Sequence, residues 1–206
     1  MTLRQAQGRP SRQAQGKPAQ QARGSSAQRP AAQALGDPLP DVLQPGLDLV
    51  FVGINPGLAS AAKGHHYAGP GNHFWPLLRE AGFVPETFGY EDDTRVLEHN
   101  IGLTNLVERP SRGLADLSQK ELQAGAARLR EKLRELRPRV VCFNGKAIYE
   151  AFIDGRCAFG LQEEPAESAV AFVMPSTSAR TAAYQRDDKL RFFQELKRIV
   201  DREIAT

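Results

Sequence analysis

Cysteine is scarce in this 206-residue chain. Only Cys142 and Cys157 are present, and nothing around them marks a disulfide pair. Two thiols cannot hold a four-thiolate iron–sulfur cluster, and a chain this poor in cysteine reads as a reduced cytosolic protein. Histidine is also rare, with four residues in all. No apolar run approaches the roughly 20 residues that span a bilayer, and the first residues lack the apolar core of a secretory signal, so neither membrane association nor export is expected. Acidic residues are missing altogether from residues 1–36, which carry Arg4, Arg9, Arg12, Lys17, Arg23 and Arg29. Large apolar residues are almost missing there too, and a crude unit recurs as RQAQGRP and then RQAQGKP. Such a segment has too little to bury to offset the entropy of ordering. The expected organisation is a disordered basic tail over 1–40 and one domain over 41–206. The tail either touches nucleic-acid phosphates by charge alone or is a dispensable extension.

Beyond residue 36 the balance is 21 basic against 24 acidic residues. A slightly acidic body does not coat nucleic acid unspecifically, so any such contact must be local. Within the body, strand and helix signals alternate. Leu49 to Val52, Ile101 to Val107, Val140 to Phe143 and Ala169 to Val173 are short apolar, β-rich runs. Between them Phe74 to Ala81, the charged link Tyr90 to His99, and Lys146 to Ile153 read as helical. Ser118 and Glu121 have the capping-box spacing, and a stripe of Leu122, Ala126, Leu129, Leu133 and Leu136 carries a helix on to Arg137. Asp187 to Glu203 closes the chain as an amphipathic helix with Leu190, Phe193, Leu196 and Val200 inward. The alternation predicts an α/β fold, a three-layer sandwich with a mostly parallel central sheet flanked by helices.

The richest stretch is Leu49 to Trp75, LVFVGINPGLASAAKGHHYAGPGNHFW. Its strand ends abruptly at Gly53-Ile54-Asn55-Pro56-Gly57, a proline turn between glycines. That places Asn55 at the carboxyl end of a strand, where ligands bind in open α/β sheets. Asparagine does not titrate, so it is no strong base; it can hold a water for attack on a carbon that is already electron-poor. Taken alone, GINPG reads first as a plain tight strand exit. His65 and His66 read as surface histidines or half a metal site, although adjacent histidines point poorly for joint chelation. Asn144-Gly145-Lys146 invites a phosphate-loop reading that fails, because Val140 stands where the first glycine is needed and Ala147 replaces Ser or Thr.

GINPGLASAAKGHHYAGPGNHFW resembles the first motif of the mismatch-specific uracil/thymine-DNA glycosylases of the uracil-DNA glycosylase superfamily, nearer the thymine-DNA glycosylase type than the shorter bacterial one. The resemblance continues through Ile101-Gly102-Leu103-Thr104-Asn105-Leu106-Val107-Glu108-Arg109 and Phe143-Asn144-Gly145-Lys146 to Met174-Pro175-Ser176-Thr177-Ser178-Ala179-Arg180. It covers about residues 45–203 and leaves the tail unmatched. It implies a uracil-DNA glycosylase-like fold and a monofunctional glycosylase, without metal or other cofactor, acting as a monomer on double-stranded DNA with G:U or G:T mismatches. The product is an abasic site. The compartment is then the cytoplasm, nucleoid-associated, in a bacterium, or the nucleus in a eukaryote. Asn55 would hold the attacking water and Tyr67 would stack on the flipped base. Backbone N–H groups around Ile54 and Tyr67 would receive charge on the leaving base. Asn105, Asn72 and His66 match pocket-wall positions, and Ser60 falls near the pyrimidine 5-position, where it would limit acceptance of a methyl group. Ser111 aligns with a polar position beside an altered turn at Pro110. Ser176, Thr177, Ser178, Ala179 and Arg180 form the loop that fills the gap left by the flipped nucleotide; the shorter bacterial type has leucine where this chain has Ser178. No lysine nucleophile appears in either motif, so lyase activity is not expected.

Two rivals stand beside this reading. One is a catalytically silent binder of mismatched or abasic DNA on the same fold, against which the presence of Asn55 argues. The other is a glycosylase whose main base is a carboxylate, with Glu108 and the Asp92-Asp93 pair as candidates, although Glu108 also suits an ion pair with Arg109.

Overall fold

A computed structural model describes residues 37–181 and 183–206; the expected disorder of residues 1–36 lies outside the described residues. The element order is β1 (Leu49–Gly53), α1 (Leu58–Lys63), α2 (Phe74–Glu80), β2 (Ile101–Asn105), α3 (Gln119–Leu136), β3 (Val140–Asn144), α4 (Lys146–Ile153), β4 (Gly160–Leu161), β5 (Val170–Met174) and α5 (Arg186–Ile204). The strands pair in the order β2-β1-β3-β5-β4. The first four are parallel, and only β4 runs antiparallel, on the edge beside β5. Helices cover both faces of a parallel sheet, so its strands must be apolar on both sides, and LVFVG, VVCFN and VAFVM are.

Side chains alternate between the faces. Leu49, Phe51, Ile101, Leu103, Val140, Cys142, Phe172 and Met174 turn to one side and bury the apolar faces of α2 and α5. Val50, Val52, Val141, Phe143, Ala171 and Val173 turn to the other and bury α3 and α4. Each Leu, Phe or Val removed from water in this way contributes about 1.5–3 kcal/mol before ordering costs. The three-layer α/β architecture is as the sequence predicts.

Local boundaries follow local chemistry. The Ser118 hydroxyl accepts from the Glu121 N–H (3.3 Å), while Glu121 Oε2 accepts from the Ser118 N–H (2.9 Å), closing the expected capping box. Arg137 ends α3 in a left-handed conformation and Pro138 follows. Gly125 of α3 is required, since a β-carbon there would lie 2.2 Å from the Leu106 carbonyl oxygen. Tyr90–His99 is 3₁₀ rather than α-helical and closes on left-handed Asn100. Leu39 and Pro40, placed in the tail by sequence, pack with the domain: Leu39 is buried and the Pro40 carbonyl accepts from His66 Nε2 at 2.9 Å.

Parallel strands all end at the same edge. Gly53 is in register with Asn105, and Asn144 with Met174. By the two-residue period, Gly53, Asn105 and Asn144 fall on the α2/α5 side, directly above Phe51, Leu103 and Cys142. The apolar stripe of that face therefore finishes in a polar layer.

Candidate active site

Over that polar layer lies a cavity of about 510 Å³. Its floor is held open by the missing side chain of Gly53: a β-carbon there would come within 2.5 Å of Asn105 Oδ1 and 3.2 Å of the Tyr67 hydroxyl oxygen. Past the ladder, the turn stays zipped to the chain after β2. Leu106 N–H donates to Gly53 O (2.8 Å), Val107 N–H to Ile54 O (2.9 Å) and Ser111 N–H to Pro56 O (3.1 Å). Ile54 and Asn55 are thereby fixed at the cavity wall.

The Asn55 side chain has one determined orientation. Its Nδ2 donates to the carbonyls of Pro56 (2.9 Å) and Arg109 (3.4 Å) and to Ser111 Oγ (2.9 Å). Carbonyls only accept, so the amide nitrogen must face them. Oδ1 is left as an acceptor with no partner among the described residues. Ser111 is itself buried and tied to both polar groups of the Gly113 backbone, donating to its O (3.0 Å) and accepting from its N–H (3.1 Å). It lines the cavity beside Asn55, whose amide it orients.

Tyr67 adopts φ +55°, a left-handed conformation that costs a non-glycine residue about 1 kcal/mol. Its ring stacks on Phe74 at 3.8 Å between centroids and 15° between planes. Its hydroxyl is buried and has no hydrogen-bond partner among the described residues. Asn144 lies close, but its amide is committed to Thr177: Nδ2 donates to Thr177 Oγ1 and Oδ1 accepts from Thr177 N–H, both at 2.9 Å. Burial pushes the Tyr67 phenol well above its ordinary range, with Asn144 working weakly against it. Neither the Ile54 nor the Tyr67 backbone N–H has a hydrogen-bond partner among the described residues.

Ser60, His66, Asn72 and Asn105 also line the cavity. Ser60 is buried on α1. Asn72 Oδ1 receives the Phe74 N–H (3.0 Å). His66 is largely built into the scaffold: Nε2 donates to Pro40 O, and its carbonyl takes the Trp75 indole N–H at 3.0 Å. Among the described residues no three His, Cys, Asp or Glu side chains are grouped to hold a metal.

The three candidate carboxylates are elsewhere, Asp92 taking the Gly89 N–H and the Arg95 guanidinium, both at 3.0 Å. Asp93 is buried, but it accepts from the His66 backbone N–H (2.8 Å) and sits 3.0 Å from His65 Nδ1, so it shapes the histidine turn from behind. Glu108 is exposed and lies 3.8 Å from both Arg128 and Lys132. Its expected pairing with Arg109 gives way to Arg109–Glu121 at 2.7 Å, because Arg109 turns toward the start of α3. None of the three lines the cavity.

The loop after β5 closes the opposite wall. Thr177 lines the cavity but is buried and clamped by Asn144, so it anchors the loop from beneath. Ser176 and Ser178 are half-buried and Ala179 and Arg180 exposed. The Arg180 guanidinium reaches over to donate to the Arg112 carbonyl, on the Ser111 side of the mouth. Sequence reasoning gave Asn144 no role and passed over Arg112; Asn144 showed the same signal as Asn105, a polar residue ending an apolar strand.

A family model described as the uracil DNA glycosylase superfamily matches residues 40–199. Among solved structures, the chain is similar to a candidate uracil DNA glycosylase from Methanosarcina acetivorans, determined by solution NMR. That likeness has a TM-score of 0.57 at 24% identity and covers 80% of this chain and 98% of the other, which speaks for the fold. With the family match spanning the sheet, both loops and Asn55, this chain belongs to the uracil DNA glycosylase superfamily.

Proposed function

We propose that this protein is a monofunctional DNA glycosylase that flips and hydrolytically excises uracil mispaired with guanine, with thymine and other modified pyrimidines opposite guanine as further substrates. One observation carries the reading: Asn55 stands at the wall of a strand-end cavity with its amide nitrogen held by three acceptors and Oδ1 unpaired among the described residues. A fixed, non-titrating acceptor suits a water that must be aimed and need not be strongly activated. The glycosidic bond breaks first, its electrons staying with the base, and the water then adds to the electron-poor sugar carbon, its proton passing to the departing base anion. Tyr67 has one ring face against Phe74, which leaves the other for the flipped base. The free N–H groups of Ile54 and Tyr67 suit the charge that collects on the base carbonyls. A mispaired base leaves the stack at least cost, so preference for mismatches is partly a property of the substrate.

Single-turnover excision from duplexes carrying uracil or thymine opposite guanine or adenine tests this directly. Asn55→Ala is expected to slow uracil release about a hundredfold or more, as expected for loss of a transition-state contact. Binding to an uncleavable fluorinated uracil duplex is expected to persist. Near-normal excision by Asn55→Ala would overturn the mechanism, and loss of binding together with excision would make the turn purely structural. Binding to mismatched duplex without excision by the wild-type chain would identify the silent binder.

A further inference from the structure

Lys189 is the residue least at home in its surroundings. It is 1% exposed and lies in the opening turns of α5, where the helix dipole disfavours a cation. Burial pulls its pKa below the ordinary lysine value. Its nearest acidic neighbour on the helix, Asp188, is occupied with the Gln185 N–H and with Arg191. Among the described residues the ammonium donates to two carbonyls, Ser178 O at 3.3 Å and Thr181 O at 3.5 Å. Both belong to the loop that closes the cavity.

That loop is a turn hung between fixed points. Thr181 N–H donates to Ser178 O (3.1 Å), and the Arg180 N–H lies 3.3 Å from Ser178 Oγ. On the near side, His73 N–H donates to Thr177 O (3.0 Å), and a β-carbon at Gly71 would lie 3.2 Å from Ala179 Cβ. Beside the turn, His73 Nδ1 is buried without a partner among the described residues; burial, then the charges of Lys189 and Arg186, lower the imidazole pKa. With both carbonyls drawn inward to one ammonium, the outer side of the turn presents Arg180 at the cavity mouth. Packing alone does not achieve this. An apolar side chain in the same space leaves Thr181 O without a donor and Ser178 O with the Thr181 N–H alone, and the turn is then free to rotate toward water.

We infer that Lys189 is the positioning residue for this loop, its buried ammonium fixing the Ser178–Thr181 turn so that Arg180 is presented to DNA already ordered. The inference rests on the glycosylase reading above. It explains why a buried charge is kept at the wrong end of a helix: a loop that must enter a duplex binds better when its ordering cost has been met during folding.

The test uses the full chain with Lys189→Met, which keeps the stem volume and removes the donors, and Lys189→Gln, which restores amide donors. Without DNA, amide hydrogen exchange of residues 178–181 is expected to quicken about tenfold in Lys189→Met, while amides of β1 and β3 stay unchanged. In single-turnover excision, Lys189→Met is expected to lose about tenfold on a G·U duplex and under about twofold on single-stranded uracil DNA. Lys189→Gln should fall between wild type and Met. In the Arg180→Ala background, Lys189→Met should add nothing. Unchanged exchange at 178–181, equal losses on both substrates, or a loss that multiplies with that of Arg180→Ala would each overturn the assignment. Should Lys189→Met fail to fold, Lys189→Gln is judged by the same criteria. If the wild-type chain releases no base at all, the glycosylase reading fails, and the exchange measurement still decides whether Lys189 orders the turn.

Discussion

Replacing Ser111 with alanine isolates the orientation of Asn55 from its presence. The Asn55 amide has two hydrogens and three acceptors, Pro56 O and Ser111 Oγ at 2.9 Å and Arg109 O at 3.4 Å. Without Ser111 Oγ, one hydrogen keeps Pro56 and the other has only Arg109, beyond the usual range for such bonds. A full flip of the amide stays unfavourable, because it would set Oδ1 against two carbonyl oxygens. The loss is therefore that of one net hydrogen bond, about 0.5–1.5 kcal/mol, which corresponds to roughly a two- to tenfold slower reaction. Stability falls separately, since the Gly113 N–H loses its acceptor, while Gly113 O keeps the Asp116 N–H at 3.0 Å. That costs about 1–3 kcal/mol, each kcal/mol lowering the midpoint by about 2–4 °C in a domain of this size. Single-turnover uracil release, measured well below the unfolding transition, reads the first effect, and thermal unfolding reads the second. In the Asn55→Ala background Ser111→Ala should cost no further rate. A variant as slow as Asn55→Ala, or a loss that persists in that background, would refute the reasoning and place Ser111 in contact with the reacting atoms.

Arg180→Ala should weaken binding and excision on mismatched duplex more than excision from single-stranded uracil DNA, because an inserted side chain matters only where a duplex is opened; equal losses on the two substrates would contradict this. Gly125→Ala should destabilise the fold by about 3 kcal/mol or more in chemical denaturation, since α3 must move off the Leu106 carbonyl, and a loss under about 1 kcal/mol would show that the helix yields easily. Arg109, then the Ser118 cap, hold the Glu121 carboxyl down at about 2, against an ordinary value of 4.5. A depressed carboxylate stabilises above its unfolded pKa and loses that effect as pH falls through its folded one. The midpoint gap between wild type and Glu121→Gln should accordingly be constant above pH 4.5 and close as pH falls toward 2; a gap independent of pH would rule this out.

The layers, the parallel sheet and its four parallel strands were legible because each depends on patterns within one segment: apolar runs for β1 and β3, a capping box with a stripe for α3, an amphipathic period for α5. β4 was not, since two residues carry no period and Gly160–Leu161 exists only by pairing with β5. The candidate site was legible as a set of strand-end residues, and resemblance supplied most of them. What stayed hidden is who holds whom. Thr177 and Asn144 are 33 positions apart, and Glu121 draws Arg109 away from Glu108 only once α3 has docked. Lys189 looks like any solvated helix lysine until the loop from β5 folds over it.

The registry of Gly53 with Asn105 ties the chemistry to the whole sheet. A slip of one residue between β1 and β2 would turn every side chain of the slipped strand to the other face, sending Asn105 toward the α3 layer. The floor of the cavity thus exists in one alignment of the strands and in no neighbouring one. A partly folded or misregistered chain would contain every residue of the site and assemble none of it. Base release is confined to molecules that have completed the sheet, and the specific activity of a preparation counts correctly aligned sheets, not mass of protein.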